Sequence, residues 1–181
     1  AWAWHHLRAA RAALAAHRPD AARASLAACA RVWGGRPDVR LLAARAARQA
    51  GDFDAADAEL RAAQRLAGGA TDDTAFEWAL LQASAGNVRE VEAYLQKRAD
   101  QSADAGPLVW EALTAGYLRV YRTLDAMNCA NHWLKRDPDN VRALDRGEIK
   151  FLWIQVTNPM VTMPKLKRYR DAAKKEGRFI V

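Results

Sequence analysis

Three observations predict an all-α protein built from repeated helix hairpins. Alanine and arginine, both strong helix formers, dominate the composition. β-branched residues and strand-like alternation are scarce. The sequence also matches itself when shifted by about 34 residues, a period that indicates stacked helix pairs. At 181 residues, with 51% apolar residues, the chain is long and apolar enough to bury a continuous core.

The first unit is expected over 3–36 and the second over 37–71. Overlaying them pairs Ala10 with Ala44, Ala22 with Ala56, Leu26 with Leu60, Cys29 with Ala63 and Val32 with Leu66, so small falls on small and apolar on apolar. Within the second unit, Gly51-Asp52-Phe53-Asp54 has a glycine that ends one helix and an aspartate that begins the next. The third unit, 72–106, carries its turn at Gly86-Asn87-Val88, one residue later than strict spacing. This predicts a single inserted residue near Gly68-Gly69-Ala70, where a loop tolerates it.

The fourth unit, 107–140, opens on Trp110, Leu113 and Tyr117, passes Ala126 midway along its second helix, and closes at Asp137-Pro138-Asp139-Asn140. On these residues the chain resembles the tetratricopeptide repeat family, which places tryptophan, leucine, tyrosine, alanine and a closing proline at the matching slots. The resemblance covers roughly 3–150. It departs from the pattern at His17 and Tyr121, which stand where the turn glycine belongs, and at Val91, which replaces an alanine. The resemblance implies a right-handed superhelical solenoid of antiparallel hairpins, with the first helix of each pair lining a concave groove. Physical reasoning agrees, because each hairpin leaves an apolar face that only its neighbour covers. Leu26, Leu60, Leu95, Trp110, Leu113 and Tyr117 are the expected core, each fully buried aliphatic side chain contributing about 1.5–3 kcal/mol.

A capping helix is expected over 141–156, with Phe151, Leu152, Ile154 and Val156 covering the last apolar face. Together with the repeats it makes up a domain over 1–156. Residues 157–181 are expected to form a proline-containing linker and a basic amphipathic helix. Of the net charge of +7, the segment Lys165 to Arg178 supplies seven basic residues against Asp171 and Glu176, leaving 21 basic and 19 acidic residues elsewhere. The near-neutral body therefore disfavours a nucleic-acid partner.

Catalytic chemistry is not indicated, and no enzyme activity is expected. Ser25, Ser84 and Ser102 lack the setting of a nucleophile. Gly34-Gly35 and Gly68-Gly69 lack the lysine and hydroxyl residue of a phosphate loop. The four histidines form no metal-ligand pattern, and Cys129 with His132 supplies only two ligands, so neither metal nor cofactor is expected. Cys29 and Cys129 are expected as small buried hydrophobes. Asp52, Asp54, Asp72 and Asp73 are expected to cap or complement helix starts.

The function expected from the resemblance is a protein-interaction scaffold that holds a partner protein or peptide. The resemblance implies that Trp4, Leu7, Arg11, Leu41, Arg45 and Arg48 face the groove in the first two units, with Phe76, Leu80, Glu111, Leu118 and Arg119 in the next two. Arg11 and Arg45, one period apart, suit the carboxylates of an acidic or C-terminal segment. The lysine and asparagine pairs that clamp chaperone tails in this family are missing, so a chaperone partner is not expected.

An alternative reading makes Lys165, Lys167, Arg168, Arg170, Lys174 and Lys175 a contact with an anionic membrane surface or nucleic acid. A further alternative makes the repeats the docking arm of a larger enzyme. The sequence as given is expected to be soluble, with the cytoplasm favoured. An upstream anchor or signal removed ahead of Ala1 would instead place it at a membrane or in the periplasm.

Overall fold

The computed structural model describes residues 2–136 together with the short segments 151–152 and 179–180. The chain divides into two compact units, residues 1–136 and 137–181. The first unit holds eight helices: α1 (Trp2–Ala15), α2 (Pro19–Trp33), α3 (Pro37–Gln49), α4 (Phe53–Ala67), α5 (Asp72–Ala85), α6 (Val88–Gln101), α7 (Ala105–Arg119) and α8 (Thr123–Arg136). In the second unit the described residues form β1 (Phe151–Leu152) and β2 (Phe179–Ile180), paired in parallel with Phe151 opposite Phe179 and Leu152 opposite Ile180.

Local chemistry sets the helix limits. Pro19 and Pro37 open α2 and α3, where a missing N–H loses nothing. The Asp52 carboxylate accepts from the Ala55 N–H at the start of α4. Thr71 and Thr74 cap each other reciprocally at the start of α5. Asp72 and Asp73 then sit in the first turn of α5, where they complement the dipole.

Four hairpin turns share one conformation. His17, Gly51, Gly86 and Tyr121 all have positive φ, at 50°, 79°, 105° and 59°, and follow one another at intervals of 34, 35 and 35 residues. In each case the residue after the turn donates back to a carbonyl five positions earlier: Arg18 to Ala13, Asp52 to Ala47, Asn87 to Gln82 and Arg122 to Tyr117. The period read from the sequence is therefore present in the backbone. His17 and Tyr121 adopt the same left-handed turn as the glycines rather than a looser one. The inserted residue falls between the second and third turns, where Gly68 and Gly69 also have positive φ.

Each helix packs on its chain neighbour, and the odd-numbered helices touch one another as well, α1 on α3, α3 on α5 and α5 on α7. The architecture is thus all-helical and repeat-like. Positions one period apart share their burial: Ala10, Ala44, Ala22, Ala56, Leu26, Leu60, Cys29 and Ala63 are buried, while Val32 and Leu66 are exposed. All six expected core residues are buried. α5 and α7 are apolar almost all round and lie at the heart of the largest core cluster, with partners on α6 and α8. At Gly116 a Cβ would come within 2.0 Å of the Ala83 carbonyl oxygen and 2.8 Å of Val88 Cγ2. α7 therefore meets α5 there main chain to main chain.

One expectation is corrected. A helix running unbroken over 141–156 does not hold at Phe151 and Leu152, which are extended, as are Phe179 and Ile180 near the end of the expected basic helix. These aromatic and branched pairs suit a pleated ladder, a preference that the helical reading undervalued. The rest of the expected capping helix, the linker, the basic helix and the closing Pro138 lie outside the described residues.

Candidate partner-binding surface

The residues expected to line a groove separate into three groups. Leu7 and Leu80 are wholly buried and Phe76 nearly so, while Leu41 packs against a core cluster, so these side chains belong to the interior. Arg45, Arg48 and Glu111 enter a polar network inside the helical unit. Trp4, Arg11, Leu118 and Arg119 remain exposed.

The network is built across four elements. Glu77 on α5 is only 2% exposed and accepts from Arg45 Nε on α3 at 2.6 Å. One turn further along α3, Arg48, 4% exposed, brings its Nε to 3.8 Å from the other Glu77 oxygen. Its Nη1 donates to Ser84 Oγ at 3.4 Å and lies 3.8 Å from Glu111 Oε1 on α7. Glu111 also accepts from Gln49 Nε2 at 3.3 Å and has His17 Nδ1 at 3.9 Å. His17 in turn meets the Trp133 ring edge-on, with centroids 5.4 Å apart. The turn between α1 and α2, the end of α3 and the interior faces of α5 and α7 are thereby tied together.

Physical necessity drives this arrangement. A buried guanidinium or carboxylate without a counter-charge loses several kcal/mol of hydration. Two arginines against two carboxylates bring the network close to neutrality. Arg45 and Arg48 therefore face carboxylates of the helical unit itself and are not free groove cations.

Beside the network lies a pocket of about 210 Å³ lined by Arg48, Gln49, Phe53, Ser84, Glu111 and Arg119, among others. The Arg119 guanidinium lies 4.8 Å over the Phe53 ring. Next to it on the surface stand Leu118, Val120, Tyr121 and Leu124, of which Tyr121 is 91% and Leu124 72% exposed.

The remaining groups do structural work. Cys29 and Cys129 are buried free thiols, and Cys29 donates to the Ala3 carbonyl at 3.4 Å. Burial, reinforced by Asp125 and Glu92, pushes the Cys129 thiol up to about 11, and burial raises Cys29 in the same direction. Tyr117 is raised by burial and by the Glu92 carboxylate. His132 stacks on Trp110 at 5.0 Å. Among the described residues no three His, Cys, Asp or Glu side chains converge as a metal site would require, and no helix is long and apolar enough to cross a membrane. Lys165, Lys167, Arg168, Arg170, Lys174 and Lys175 lie outside the described residues.

The described residues of the first unit thus define an all-helical, repeat-like body. The chain matches no protein-family model, no curated protein and no solved structure.

Proposed function

We propose that the protein is an interaction scaffold of the tetratricopeptide type, which holds a partner protein or peptide against the surface formed by its stacked hairpins. The observation that carries this reading is the recurrence of one left-handed turn at His17, Gly51, Gly86 and Tyr121, with the odd-numbered helices in mutual contact. A repeat of this kind generates an extended surface from neighbour contacts alone, and its use is display rather than chemistry. On this reading the partner meets the exposed members of the expected lining, Leu118 and Arg119 at one end and Trp4 and Arg11 at the other.

Affinity capture with the tagged full chain provides the test, comparing wild type with a Leu118→Asp/Arg119→Glu variant. Both positions are exposed, and circular dichroism and the melting temperature of the variant verify that the helices are kept once the Arg119 contact with Phe53 is lost. Retention of a saturable partner should fall about ten-fold or more, the loss expected when a desolvated apolar and cationic anchor is removed. Equal retention of the same proteins by both forms removes the assignment.

A further inference from the structure

We infer that the stripe of α1 bearing Trp4, Arg8 and Arg11 docks a short acidic segment of the partner, one that carries an apolar side chain among its carboxylates. This inference rests on the scaffold reading and adds the chemistry of the partner to it.

The repeat itself exposes the gap that such a segment fills. Arg11 stands six residues before the turn residue His17, and Arg45 stands six before Gly51, so the two occupy one slot. Arg45 is neutralised by Glu77, which stands nine residues before Gly86 on the next odd-numbered helix. The residue nine before Gly51, where the counterpart for Arg11 belongs, is Leu42. The first interface between odd helices therefore lacks the carboxylate that the second possesses.

Arg11 is exposed, and among the described residues no carboxylate pairs with it or with Arg8. Along α3, by contrast, Arg40, Arg45 and Arg48 each face a glutamate: Glu59, Glu77, and Glu77 with Glu111. The sequence contains no Asp or Glu before Asp20, so α1 has no acidic residue of its own.

Geometry completes the site. Trp4, Arg8 and Arg11 are spaced by four and three, which places them on one face of the helix over about 10 Å. Trp4 keeps 52% of its surface exposed yet is not loose, because its ring stands edge-on to Trp33 at 5.7 Å and Arg36 lies 4.8 Å over Trp33. A fixed, half-exposed indole beside two guanidinium forks that no carboxylate among the described residues pairs has the composition of an interface anchor. The guanidiniums fit carboxylates bidentately, and the indole offers an apolar shelf between them.

Two other anionic partners fit less well. The apolar face of α1, Ala3, Leu7, Ala10 and Leu14, is buried in the core, so the helix has no wide apolar face to lay into a lipid surface. Tight duplex binding neutralises several phosphates at once, whereas this stripe offers two cations.

The test is titration of a short fluorescein-labelled peptide of alternating glutamate and phenylalanine into the full chain, followed by fluorescence anisotropy. Arg8→Glu/Arg11→Glu should weaken binding by about ten-fold or more, and the reversed protein should gain affinity for a lysine–phenylalanine peptide. Trp4→Ala should weaken the glutamate–phenylalanine peptide but leave a glutamate–serine peptide unaffected. Unchanged affinity after charge reversal overturns the proposal, as does tighter binding to phosphatidylserine-containing vesicles or to duplex DNA than to the peptide. If partner capture still depends on Leu118 and Arg119 while the peptide ignores α1, only the acidic-segment proposal falls.

Discussion

Tyr121 is a non-glycine residue held at φ 59°, and its side chain is 91% exposed, so it pays for a left-handed turn without packing in return. Tyr121→Gly should stabilise the protein by about 0.5–1 kcal/mol, the steric relief being partly offset by a more flexible unfolded chain. An unchanged or lower melting temperature would contradict that account. His17, at φ 50°, is a different case, because its ring touches Glu111 and Trp133 and a glycine would forfeit both contacts. At Cys129, burial raises the thiol to about 11, above the ordinary value near 8.5. The folded state thus keeps a proton that the unfolded chain releases. Stability from this group is complete below about pH 8.5 and declines as pH rises toward 11. Urea midpoints should fall over that interval, and less steeply in Cys129→Ala; equal slopes would sink the assignment. Tyr117, raised in the same sense, adds to the decline at its upper end.

Between elements, the polar network couples α3 to α5 and α7. Replacing Glu77 by leucine removes the hydrogen-bonded partner of Arg45 and one of the two carboxylates 3.8 Å from the enclosed Arg48, and should cost about 3–5 kcal/mol. Adding Arg48→Met should recover much of that loss, since a matched apolar pair in place of a buried ion pair is commonly neutral or better. Urea denaturation of both singles and the double measures the coupling, and a double no more stable than Glu77→Leu alone would refute it. This network marks the limit of what the sequence discloses. The period, the glycine turns and the small-on-small alanines are local or regularly spaced, and they were legible. The pairing of Arg45 with Glu77 joins residues 32 apart on different helices, and no pattern along one helix announces it. A signal was nonetheless present: Glu77 stands between Phe76 and Trp78 in the apolar middle of α5, a position that a carboxylate occupies only with a cation at hand. The extended pairs at 151–152 and 179–180 were hidden for a related reason, because a ladder formed across the chain competes with helical periodicity that is judged locally.

For the helical unit as a whole, three core clusters replace a single one: the first on α1, α2 and α3, the second on α3, α4 and α5, and the largest on α5 to α8. Unfolding should therefore proceed in stages rather than all at once. Amide exchange is expected to be slowest in α5 and α7, around Leu80, Ala112 and Leu113, and faster throughout α2. Uniform protection across the eight helices would show one cooperative block instead. The stretch where α7 meets α5 at Gly116 adds a mechanical consequence. At that one point the two main chains leave no room for a side chain to slide between them, so this crossing acts as a fixed pivot. Whatever bending the unit allows must be taken up by the earlier hairpins, where Ala44, Ala47, Leu60 and Leu81 meet through their side chains and can slide.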